Sequence, residues 1–207
     1  MKELEAVNIL LSVIGEAPID KLSDTAKNEI TDASLARKTL NEVKRDVCAE
    51  GWSWNTDIGV KLTPDSSKQF LLDQNWLKAE FAPAQYPNKQ YVPRGLKVWD
   101  RLKQKFDFGD DVDELTVSYV LVDLKWDEVP HQAQQYIAIR AARIYADRFV
   151  NSNAIYVYTA QDEEYARTML IRSEESDGEA NLLWGNSYGA GQGVGYVPLQ
   201  GLSRRSI

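Results

Sequence analysis

The chain has 207 residues, with 24 Lys and Arg against 31 Asp and Glu, one Cys and one His. At 43% apolar and 27% charged it can build a core, and its length suits one domain or one domain carrying a large insert. Lone Cys48 and lone His131 exclude an internal disulfide framework, a Cys/His zinc cluster and a multi-His metal site, and the net charge of −7 argues against a sequence-specific nucleic-acid binder.

Leu4, Val7, Leu11 and Ile14 recur at 3/4 spacing and predict a helix that stops at Gly15, with Pro18 beyond it. A second helix is predicted over Ala26–Glu50, capped by Asp24 or Asp32. Its stripe is Ala33, Ala36, Leu40, Val43 and Val47, and Gly51 follows its end. That helix would span about 36 Å at 1.5 Å per residue. The two read as an antiparallel hairpin that needs further helices to close its core. After Trp52 and Trp54 the period shifts to alternation at Ile58, Val60 and Leu62, and prolines at 64, 83, 87 and 93 interrupt the stretch beyond Leu62. Further strands are expected in part of Phe70–Phe81, in Leu96–Leu102 and in Leu115–Leu124, the last with Leu115, Val117, Tyr119 and Leu121 on one face.

Asp127-Glu128-Val129-Pro130 opens a third helix, with Ala133, Tyr136, Ile137, Arg140, Ala141, Ile144, Tyr145 and Phe149 on one side and an end near Asn151. A fourth is expected from about Ala160 to Ser176, with Tyr165, Ala166, Met169 and Leu170 inward. The fold class is therefore α+β: a bundle of about four helices from residues 1–55 and 127–177, a β-rich insert over 56–126 and an extended glycine-rich arm over 178–207. Six of the twelve glycines lie in the last 23 residues. No apolar run approaches the ~18 residues of a membrane span, and MKELE is no signal-peptide start, so neither membrane insertion nor export is expected.

No constellation points to catalysis, a cofactor or a metal. Gly189–Gly195 lacks the spacing of either phosphate-loop motif and follows a helix rather than a strand. Its flanks carry Trp184, Tyr188, Tyr196 and Leu199, anchors suited to a partner's pockets, and the chain closes with Arg204 and Arg205. Asp107–Glu114 holds five acids without the spacing of a calcium loop, and a solvated turn is the expectation. Residues 89–105 hold six bases against Asp100 alone. These adjacent blocks suggest pairing within a hairpin or between copies, through Lys97, Arg101, Lys103 and Lys105 on one side and Asp110, Asp111, Asp113 and Glu114 on the other. Cys48 is expected to be a small buried hydrophobe and His131 a surface or capping residue.

The segment AVNILLSVIGEAPIDKL (Ala6–Leu22), the helix with Ala33, Ala36-Arg37, Leu40 and Arg45, and GWSWN (Gly51–Asn55) resemble the tail tubular protein A family. These are head-to-tail adaptors of short-tailed double-stranded DNA phages. The similarity resumes at VWDR (Val98–Arg101) and from Tyr119 to Phe149, and departs over residues 64–95. It implies a structural, non-enzymatic adaptor in the virion tail at the head–tail junction, made in the host cytoplasm. It also implies a dodecameric ring between the portal and the nozzle (tail tubular protein B), with duplex DNA passing through unread during packaging, retention and ejection. Portal, nozzle and neighbouring copies would be the partners of Trp184, Tyr188, Tyr196, Leu199, Arg204 and Arg205. Two alternatives stay open: a virion-associated peptidoglycan hydrolase using Asp or Glu, and a packaging protein that grips DNA through Lys97, Arg101, Lys103 and Lys105.

Overall fold

The computed structural model describes residues 1–22, 31–81, 90–109, 112–149 and 158–183. The protein is α+β, with helices α1 (Glu3–Val13) and α2 (Asp32–Ala49), strands β1 (Thr56–Leu62), β2 (Trp76–Glu80), β3 (Tyr91–Arg94), β4 (Lys97–Asp100) and β5 (Leu115–Val122), and helices α3 (His131–Phe149) and α4 (Ala160–Leu183). The described residues form two compact units, one from Met1–Val47 and Lys125 onward, the other from Cys48–Leu124.

In the first unit, α1 starts where the Glu5 carboxylate accepts the Lys2 N–H at 2.9 Å. It ends where Gly15, at φ 82°, lets the Gly15 and Glu16 N–H groups reach Ser12 and Leu11 carbonyls. The Asn8 amide then clasps the returning chain at both backbone groups of Ile19. Ala6, Val7, Leu10 and Leu11 are buried, and α3 packs against α1 and α4.

Helix α2 runs from Asp32, and the expected start at Ala26 lies outside the described residues. Thr31 and Ser34 exchange side-chain-to-backbone hydrogen bonds at 3.2 Å, which makes Thr31 the cap in place of Asp32, while Asp24 lies outside the described residues. Its stripe holds as expected at Ala36, Leu40, Val43 and Val47, and Cys48 is fully buried. Polar ties at the rim fix its neighbours: Arg37 to Glu3 at 2.8 Å, and Arg148 to Thr39 and Glu42 at 3.3 and 3.0 Å.

Buried Tyr145 donates its hydroxyl to the Asp32 carbonyl at 2.9 Å, and desolvation, reinforced by the Asp32 and Glu16 carboxylates, pushes its pKa from 10.0 up to about 12. A raised folded pKa means that the unfolded tyrosine ionises first. The stabilisation is then complete below pH 10 and drains away as pH rises toward 12. Tyr145→Phe is expected to cost about 1 kcal/mol in urea unfolding at pH 7, with the gap to wild type shrinking above pH 10. A gap that stays constant through that window would contradict the assignment.

Before α3, Trp126 donates Nε1–H to the Met1 carbonyl, and Gln134 donates to the Trp126 carbonyl. Helix α3 buries Ala133, Tyr136, Ile137, Ala141 and Tyr145, with Arg140 and Ile144 partly covered; the Phe149 side chain lies outside the described residues. On α4 only half the expected inward set is inside. Ala166 and Leu170 are buried, whereas Tyr165 is 68% and Met169 39% exposed. The helix also runs on through Gly178 to Leu183, past the expected boundary near Ser176. A helical Gly costs about 1 kcal/mol against Ala, which flanking helix formers can absorb.

In the second unit, β1, β5 and β2 form an antiparallel sheet in that order, and β3 and β4 a hairpin closed by Gly95-Leu96 with Gly95 at φ 63°. Strand β3 falls in the proline-rich stretch for which no strand is expected; its Pro93 is tolerated on an edge strand. Within Phe70–Phe81, β2 is the strand, while Phe70 and Leu72 exchange hydrogen bonds with Val98 and Leu96 of the hairpin. The core comprises Phe70, Leu72, Ala79, Phe81, Tyr91, Val98, Phe108, Leu115, Val117 and Val120. Strand β5 does not keep one face. Tyr119 leaves the core and Val120 replaces it, opposite the point where Gly59 of β1 adopts φ 70°.

Candidate assembly surfaces

Asn55 secures the entry to the second unit. Only 2% exposed, it accepts the Trp52 N–H at 2.8 Å and donates to the Cys48 and Val122 carbonyls at 2.7 and 3.0 Å, tying the chain after α2 to the end of β5. The GWSWN segment is thus a structural clasp.

The expected charge residues occupy separate places in this unit. Lys97 lies on β4, and Arg101, Lys103 and Lys105 lie in the turn after it; all four are exposed. Lys97 Nζ donates to Gln69 Oε1 at 2.8 Å. Asp113 and Glu114 are exposed just before β5, and Glu114 pairs with Lys61 of β1 at 2.9 Å. Asp110 and Asp111 lie outside the described residues, as do Trp184, Tyr188, Tyr196, Leu199, Arg204 and Arg205. Asp100, the one acid inside the basic stretch, is 4% exposed and accepts the Leu102 and Lys103 N–H groups, so it shapes the turn.

The hairpin brings Lys97 together with residues that the sequence alone does not single out. On its outer face Arg94 pairs in register with Lys97, and Val92 with Trp99. The Arg94 guanidinium stands 4.2 Å from the Trp99 ring, which meets Phe106 edge-on at 4.6 Å, with Lys97 Nζ 5.9 Å from the Phe106 ring. The available signal is alternation on both sides of Gly95-Leu96, a two-residue hairpin pattern that Pro93 obscures. Leu71, Leu96 and Leu102 are 50%, 49% and 60% exposed along the same stretch, and Ile58 is 64% exposed on β1.

On the helical unit, Glu163 takes Arg143 Nε at 2.5 Å with Arg140 at 3.8 Å, and the buried Tyr136 hydroxyl meets Arg140 and Arg167 at 3.0 and 2.9 Å. The Glu163 bonds and the Arg167–Tyr136 bond hold α4 on α3. His131 is exposed. Among the described residues no group of three or more His, Cys, Asp or Glu could hold a metal ion, and no helix is long and apolar enough to cross a membrane.

Residues 4–180 match the family described as tail tubular protein. The chain is also similar to tail tubular protein A of Klebsiella phage KP34, 23% identical over 173 residues, which cover 83% of this chain and 86% of that protein.

Proposed function

The chain belongs to the tail tubular protein family and is a structural component of a phage tail; from that premise we propose that it works without turnover, as an adaptor ring between portal and nozzle. The reading rests above all on a family match that runs through residues 4–180 and so spans both units. In a ring of about twelve copies the −7 per chain sums to roughly −84, a charge that surrounds phosphates without gripping them. Duplex DNA would then pass during packaging and ejection.

The proposal assigns docking on portal or nozzle to the terminal segment, through Trp184, Tyr188, Tyr196, Leu199, Arg204 and Arg205. Lys97, Arg101, Lys103 and Lys105 would face Asp110, Asp111, Asp113 and Glu114 of a neighbouring copy. Deleting residues 185–207 is expected to weaken co-sedimentation with the portal at least tenfold while leaving the helical circular-dichroism signal intact. Full-strength docking by the truncated chain would remove the segment from the mechanism.

A further inference from the structure

The β unit has two unlike flanks. Among the described residues, strand β1 pairs only with β5 and ends the sheet; at the far end of the order, β2 neighbours β3 of the hairpin. The β1 flank carries exposed Ile58 beside Asp57, with Asp113 and Glu114 where the ladder begins at Leu62 and Leu115; its one base, Lys61, is already paired with Glu114, so the flank is acidic on balance. The hairpin flank carries Leu71, Leu96 and Leu102 among Arg94, Lys97, Arg101, Lys103 and Lys105, and the acid in their midst, Asp100, is buried and held by backbone N–H groups.

We propose that these flanks bind each other between copies: the hairpin flank of one chain docks on the β1 flank of the next, with the leucines covering Ile58 and the bases facing Asp57, Asp113 and Glu114. This rests on the ring reading and names the surface that closes it. A phosphate backbone would satisfy the bases but leave three half-exposed leucines in water, whereas a protein face with an apolar centre and an acidic rim satisfies both. The Arg94–Trp99 stack holds the guanidinium in place before contact, which lowers the ordering cost of pairing it. Because the two flanks differ, the contact is head-to-tail, the type that generates a ring when its rotation closes. At about 3.3 Å per residue, seven-residue β1 is about 23 Å long and the four-residue hairpin strands about 13 Å, so the hairpin fits within the length of β1.

The test uses full-length chain assembled on portal, with buried Cys48 left in place. Ile58→Cys is combined with Leu96→Cys in one variant and with Leu102→Cys in another, and each is treated with a short bis-maleimide. A ladder of covalent multimers from at least one pair is expected, and none from any single variant. Rings by electron microscopy without a ladder from either pair would overturn the contact and leave the adaptor reading standing; no rings in wild type would defeat both. Dimers from a single variant would mean a symmetric contact and also overturn it. Independently, Arg94→Glu with Lys97→Glu should reduce ring yield at least tenfold at unchanged circular dichroism, and adding Asp57→Lys with Asp113→Lys should restore it. Failure of that restoration, or loss of portal docking with ring closure intact, assigns the hairpin flank to another partner.

Discussion

Phe108→Ala is expected to lower the unfolding free energy by about 3–5 kcal/mol, the largest effect of any single change described for this chain. Phe108 is 2% exposed and meets Phe70 and Tyr91 edge-on at 5.0 and 5.2 Å, while its backbone N–H reaches the Lys68 carbonyl at 3.0 Å. Removing the ring opens a cavity among aromatic neighbours that cannot collapse onto it without losing their own edge contacts. Phe108→Leu keeps most of the volume and should cost under about 1.5 kcal/mol. Urea unfolding by fluorescence and circular dichroism checks both, and equal costs for Ala and Leu would show that the site is loosely packed.

Asn55→Ala comes next, at about 3 kcal/mol, since one amide serves three backbone groups and the change removes its hydrogen bonds to the Trp52 N–H and to the Cys48 and Val122 carbonyls. The Cys48 carbonyl loses less, because it also accepts the Gly51 N–H at 3.3 Å. Asn55→Asp separates donor from acceptor. The carboxylate still accepts from Trp52 but points a charged oxygen at two carbonyls, so at neutral pH it should be at least as damaging as Ala. Protonation restores a donor, so part of the loss should return as pH falls. Urea unfolding of the Asp variant across that pH range reads the effect. An Asp variant as stable as wild type at pH 7 would mean that the amide's two donated bonds carry no weight.

The sequence is most legible where one local device decides the outcome. Gly15 and Pro18 stop α1, and the α2 stripe from Ala36 to Val47 needs a single buried side. The cap of α2 differs from expectation because Thr31 and Ser34 exchange hydrogen bonds, a pairing less familiar than Ser with Glu. Tyr165 and Met169 look inward by spacing alone, yet α4 meets α3 through Glu163 on Arg143 and Arg167 on Tyr136, with Ala166 and Leu170 buried. Tyr119 stands partly exposed and gives its hydroxyl to Glu80 of β2, a cross-strand tie that alternation within β5 cannot reveal. The charged blocks are visible as composition, but the fold decides their geometry. Asp100 turns inward, Glu114 takes Lys61, and Arg94 joins Trp99 across a hairpin hidden by Pro93.

The adaptor reading meets its most direct test when purified full-length chain is mixed with its portal and imaged by electron microscopy. Rings of about twelve copies seated on the portal, with an open channel of duplex width, are the predicted result. A chain that remains unassembled at micromolar concentration beside an intact portal would contradict it.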